Sequence, residues 1–237
     1  MARPRPAVPR LHLQHGGCSP IAAGLLAAAL TLAGSAPPAG AGSPGDTPLG
    51  DLLQVVVTRR ALLALDAEGG GDTREALELG ETVLWKGSRG LVGLALTDRR
   101  VLAVRTRSAA WQSERWRRGE SRPHFVELGD RVALVATDRR VLGFDGGSGN
   151  LIESSVGPRE RVVDAQVGAN LAVVVTDRRA LGLSPFAGGF FETDVRVGET
   201  IRGLEVASEV ATLTTSQRLL IFRGRSGTWS ERRLELR

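Results

Sequence analysis

The sequence predicts an all-β fold, a five-bladed β-propeller of four-stranded repeats, on three observations. A threonine recurs in one register at Thr58, Thr97, Thr137, Thr176 and Thr215, with separations of 39, 40, 39 and 39. Each threonine ends a short β-branched run and is followed by a turn and a second apolar run, as in VVVTDRRALGLS from Val173. About forty residues per unit hold four short strands, the content of one propeller blade. Helical repeats of that length would space their apolar residues by three and four.

The elements of one unit follow in order. Val173–Thr176 is continuous and apolar, as expected of a strand buried on both faces. Asp177 and Arg178 suit a tight turn, and Arg179–Leu183 returns as the second strand of a hairpin. A Gly/Ser cluster follows, at Gly146–Gly149, Gly188–Gly189 and Gly224–Gly227. Fourteen residues after the threonine a large apolar residue opens a third strand: Trp111, Leu151, Phe190 and Trp229. Repeat one departs from the pattern with Asp72. A fourth strand comes after polar residues, as in RVVDAQV from Arg161 and IRGLEV from Ile201. Upstream of the first hairpin, GSPGDTPLG (42–50) is a poor strand, so it is a linker, or a closing strand, or one blade lacks its innermost strand. An unclosed edge would invite association with another chain.

The unit resembles the repeats of pyrroloquinoline-quinone-type and WD40-like propellers. The residues that carry the resemblance are Phe144, Asp145, Gly149 and Leu151 in FDGGSGNLI, with Ser226, Gly227 and Trp229 in SGTW. It covers residues 51–237 and implies a fold, not a quinone cofactor; no cofactor is expected. The Trp-Asp dipeptide of WD40 repeats is absent.

Residues 1–41 read as a secretory signal peptide. Arg3, Arg5 and Arg10 precede the apolar run Ile21–Gly34, and small residues follow at 34–36 and 39–42. The expected location is therefore periplasmic or extracellular. Cys18, the only cysteine, would leave with the leader, so no internal disulfide is expected. The formal net charge of +5 falls to +2 from residue 42 onward, with 28 basic against 26 acidic residues, and nucleic acid is not an expected partner.

Two groups of side chains could carry function. The TDRR turns would lie on one face and ring it with Arg99, Arg100, Arg139, Arg140, Arg178, Arg179 and Arg218, joined by Arg59 and Arg60. Guanidinium forks suit carboxylates, phosphates and sulfates, so this face would take an acidic protein, an anionic glycan or a lipid head group. Alternatively Asp98, Asp138 and Asp177, inside the same turns, pair locally with these arginines. Period-two alternation in the innermost strands would turn Glu127, Asp164 and Glu205 towards the central channel. Converging carboxylates could bind a cation or hydrolyse glycosides. His124 is the only histidine after the leader, so neither a histidine metal cluster nor a catalytic triad is expected. Trp116, in the basic stretch Arg115–Arg118, is expected to be exposed. Repeats of 39–40 residues leave little room for long loops, which favours a non-catalytic binding module or scaffold. A lectin-like protein is the second reading and a glycoside hydrolase the third. Membrane contact would be peripheral.

Overall fold

The computed structural model describes residues 50–68 and 71–234. The leader and most of the 42–50 segment lie outside them. Nineteen strands form five antiparallel sheets. Blade one holds β1 (Leu53–Val57), β2 (Ala61–Asp66) and β3 (Thr73–Ala76). Blade two holds β4 (Val83–Arg89), β5 (Val92–Thr97), β6 (Arg100–Arg105) and β7 (Gln112–Arg115). Blade three holds β8 (Phe125–Leu128), β9 (Val132–Ala136), β10 (Arg140–Asp145) and β11 (Asn150–Ser155). Blade four holds β12 (Val162–Val167), β13 (Ala172–Thr176), β14 (Arg179–Ser184) and β15 (Gly189–Asp194). Blade five holds β16 (Ile201–Val206), β17 (Val210–Thr215), β18 (Arg218–Arg223) and β19 (Thr228–Arg233). The protein is thus a five-bladed β-propeller.

Four-stranded regularity fails once. Blade one has three strands among the described residues, and the strand it lacks is the innermost one. In the other blades the innermost strand comes from the end of the preceding repeat, so RVVDAQV joins the hairpin that follows it. Among the described residues no strand precedes β1 in that position.

Blades stack through the two faces of their middle strands. Leu171, Val173, Val175 and Ala180 of blade four pack on Ala211, Leu213, Leu220 and Phe222 of blade five. The same positions join blades one and two, two and three, and three and four. One main-chain hydrogen bond repeats at the base of each interface, from the amides of Leu52, Leu91, Arg131 and Asn170 to the carbonyls of Gly90, Asp130, Ala169 and Ser208. Glycine supplies the space these contacts need. A Cβ on Gly182 would stand 2.6 Å from the Phe222 ring.

The interior blades are buried on both faces of β5, β6, β9, β10, β13 and β14, apart from Arg105 and Arg179 at the strand ends. The end blades are not. On β17 and β18 burial alternates strictly: Ala211, Leu213, Leu220 and Phe222 are buried, while Thr212, Thr214, Leu219 and Ile221 are half-exposed. In blade one Leu53, Val55, Leu62 and Ala64 are buried, whereas Gln54 is exposed and Val56, Leu63 and Leu65 are half-exposed. These partly open surfaces are the two that would meet between blade five and blade one. Two threonines stand on the blade-five surface where blade four has Val173 and Val175, a polar outer face of the kind that ends repeat stacks.

Candidate binding face

The end of the molecule that carries the candidate arginines is built from two kinds of turn. One is the T-x-x-R hairpin turn between the middle strands of a blade. Thr97 Oγ1 accepts the amides of Arg99 and Arg100 and donates to the Arg100 carbonyl, and Thr137, Thr176 and Thr215 do the same with their neighbours. This is why the threonine marks the repeat so faithfully. Asp98, Asp138 and Asp177 accept the amides of Thr82, Ser121 and Arg161, just ahead of the innermost strand. They do not hydrogen-bond the arginines of their own turns.

The other turn connects an outer strand to the next innermost strand, at Glu78–Glu81, Arg117–Glu120, Gly157–Glu160 and Arg196–Glu199. In each, the fourth residue's amide donates to the first residue's carbonyl. Gly80, Gly119 and Gly198 occupy the third position with φ of +76°, +74° and +80°, the type II geometry that glycine alone adopts without strain. Arg159 stands there in the 157–160 turn, where Pro158 precedes it at the second position.

A glutamate at the fourth position of every such turn locks the two turns together. Glu81, Glu120, Glu160 and Glu199 each accept the amide of the turn's own first residue at 2.7–2.8 Å. The same carboxylates pair with the Nε of Arg100, Arg140, Arg179 and Arg218 at 2.8–3.0 Å. Thr137, Thr176 and Thr215 add their hydroxyls. Each guanidinium also reaches back to a main-chain carbonyl at or beside the end of the preceding blade's outer strand: Ala76, Arg115, Ser155 and Asp194. Arg140 is fully buried and also pairs with Glu114 and Glu153.

Burial alone would raise the pKa values of these carboxylates, but their donors more than offset it. With Arg100, the Glu78 amide and Thr97 as donors, Glu81 is held at about 2. Glu199, held by Arg218, Thr215 and the Arg196 amide, likewise lies at about 2. Glu120 and Glu160 are lowered by the same kind of partners. The guanidiniums of Arg100, Arg140, Arg179 and Arg218 are correspondingly raised. The ion pairs therefore stay charged throughout the neutral range.

Four of the seven arginines expected on this face thus hold blades together: Arg100, Arg140 and Arg218 are buried, and Arg179 is half-buried. Arg99 is half-exposed and bonds Glu78 and the Leu79 carbonyl. Arg139 is exposed and donates to the Arg118 carbonyl, and Arg178 is exposed. Trp116, expected to be exposed, is half-buried, and its Nε1 donates to the Thr97 carbonyl at 2.8 Å. The connecting turns add exposed arginines that the hairpin motif did not indicate: Arg117, Arg118, Arg122, Arg159 and Arg161.

Much of the charge at this end is cancelled within it, because Glu75, Glu114, Glu153, Glu192 and Glu231 pair with Arg100, Arg140, Arg179 and Arg218. Counted with these carboxylates and Arg115, the turn face carries sixteen arginines and thirteen carboxylates, a net of +3. The exposed Arg118, Arg122, Arg139, Arg159, Arg161 and Arg178 form no ion pair among the described residues.

The second expected group is not gathered. Glu127 and Glu205 are exposed, Asp164 is half-buried, and Asp164 caps the amide of Ala165. Among the described residues no three acidic, histidine or cysteine side chains converge in a way that could hold a metal ion. Although Glu127 is exposed, partial desolvation by its surroundings raises its carboxyl, against the opposing pull of the Val167 amide and Arg89. A shallow depression lies elsewhere, on blade one, lined by residues that include Asp51, Gln54, Leu65 and Ser88.

No described protein family matches the sequence, and no curated protein matches it. Solved structures resemble it only distantly. Prp20p of Saccharomyces cerevisiae is 11% identical, with a TM-score of 0.39 over 74% of this chain and 56% of that one. Human WBSCR16 is 13% identical, with a TM-score of 0.36 over 68% and 56%. Hsv2 of Kluyveromyces lactis is 8% identical, with a TM-score of 0.36 over 78% and 60%. The chain spans under two thirds of the length of each. By its own sheets and their stacking, it is a β-propeller of five short blades.

Proposed function

We propose that the protein is a non-catalytic binding module, exported from the cytoplasm, that engages an anionic partner through its turn face. The observation that carries this reading is the set of exposed arginines with no ion-pair partner on that face, Arg118, Arg122, Arg139, Arg159, Arg161 and Arg178. A patch of unpaired positive charge raises the encounter rate with an anionic partner. The turns are short and held by buried ion pairs, so the exposed arginines sit on a rigid support, which lowers the entropy lost on binding.

The test is salt-dependent retention of the full chain on polyglutamate and on heparin. The variant R118S/R139S/R178S is expected to elute at markedly lower salt. R3S/R5S/R10S, which removes the same charge from the leader, is the control. Equal loss of retention in both variants would reduce the interaction to net charge and remove the role of the face.

A further inference from the structure

The four connecting turns share a framework but carry different residues at its tip. Their second residues are Leu79, Arg118, Pro158 and Val197. The hydrogen bond across each turn and the glutamate beneath it are the same in all four. Leu79 is 98% exposed and Val197 103% exposed, the extremes among large apolar residues of the described chain. Neither packs on anything, and each stands at the tip of a turn whose shape is fixed by a buried ion pair. They lie between blades one and two and between blades four and five. The arginines Arg118, Arg122, Arg139, Arg159, Arg161 and Arg178 lie in the turns between them.

We infer that this face docks on an anionic lipid bilayer, with the tips of Leu79 and Val197 entering the head-group layer and the arginines contacting lipid phosphates. The inference rests on the reading of the face as an anion-binding surface and names its partner. Two features favour a bilayer over an acidic protein. The positive charge is spread over a whole face rather than along a groove, matching a partner that is anionic everywhere. Isolated leucine and valine tips gain most from a surface that offers apolar depth wherever they land, whereas protein hot spots favour Trp, Tyr and Arg in packed pockets. Among the described residues no helix is long and apolar enough to cross a membrane, so the proposed contact is peripheral.

The experiment places an environment-sensitive fluorophore on V197C, in the full chain carrying C18S. A second chain carries it on A187C, an exposed position in the turn between β14 and β15 at the opposite end of the blades. Vesicles of phosphatidylglycerol mixed with phosphatidylcholine should shift the emission at position 197 to the blue. Pure phosphatidylcholine should not, high salt should reverse the shift, and position 187 should stay silent. Because the probe reports its own surroundings, binding by the leader alone cannot produce this pattern. Each arginine near an anionic surface contributes roughly fivefold in affinity, so R118S/R139S/R178S should raise the lipid concentration at half-shift on the order of a hundredfold. L79S should weaken the shift by a smaller factor that high salt does not hide.

An equal shift at 187 and 197 overturns the proposal. So does silence at 197 with vesicles when polyglutamate still retains the wild type and releases the arginine variant. That last result leaves the anion-binding reading standing with a protein partner. If the arginine variant behaves as wild type with both lipid and polyglutamate, both readings fall.

Discussion

Blade three and blade one are built on the same hairpin but held in place differently. In blade three Arg140 is enclosed by Glu120, Glu114 and Glu153, and Thr137 closes the turn beneath it. In blade one Thr58 still closes its turn, accepting the amide of Ala61 and donating to its carbonyl. But Ala61 occupies the place of the arginine, and the register of the glutamates would fall on Gly42. Arginine and glutamate are thus lost together, and among the described residues no innermost strand accompanies this hairpin. The pair forms one functional unit, because either charge alone in that buried place would be costly. The threonine is separable from it, because its bonds are local.

Ways to break this comparison follow from the largest effect downward. Acidification acts on all four clamps at once. The glutamates have folded pKa values below their ordinary value of 4.5, with Glu81 and Glu199 at about 2. Their stabilisation is fully present above about pH 5 and is lost as pH falls towards 2. Urea midpoints should therefore be flat from pH 7 to 5 in this respect and fall steeply below 4. A pH-independent midpoint down to 3 would show that the clamps contribute little.

Single clamps come next. E120A should destabilise by about 3–5 kcal/mol, because Arg140 keeps its burial and loses its best-placed partner. A61R places an arginine in blade one without a glutamate and should cost a similar amount; neutrality there would mean that the site is less enclosed than its 1% exposure indicates. The packing contrast is smaller. L213A, in the interface between blades four and five, should cost about 2–5 kcal/mol, and L219A, on the half-open side of the same blade, distinctly less. Thermal denaturation of the pair decides whether the last blade is buried on one face or two. The smallest effect is T58V, expected at about 1 kcal/mol from its hydrogen bonds.

The repeat was legible because threonine and its turn are local, and local chemistry leaves a mark at fixed spacing. The blades, the strands of each hairpin and the anomaly in repeat one could all be read that way. The true role of the second arginine could not be read from the turn alone, because its partner lies nineteen or twenty residues earlier. The signal was nonetheless present: Glu81, Glu120, Glu160 and Glu199 keep separations of 39, 40 and 39, the same register as the threonines. Gly-Glu at 80–81, 119–120 and 198–199 marks three of them. The charged face was hidden for a different reason. Summing charge along a chain discards position, and only the topology assigns the turns to one end.

Each clamp reaches one blade backward and no further. A guanidinium of blade two, three, four or five fastens to the outer strand of the blade before it, and no clamp depends on a more distant blade. A molecule assembled this way has no central keystone. Its cooperativity is nearest-neighbour, so unfolding should fray inward from an end rather than collapse from the middle. The same property makes the unit a portable part. A duplicated stretch of thirty-nine residues brings its own threonine, glutamate and arginine, and needs from its host only the free end of one strand to join.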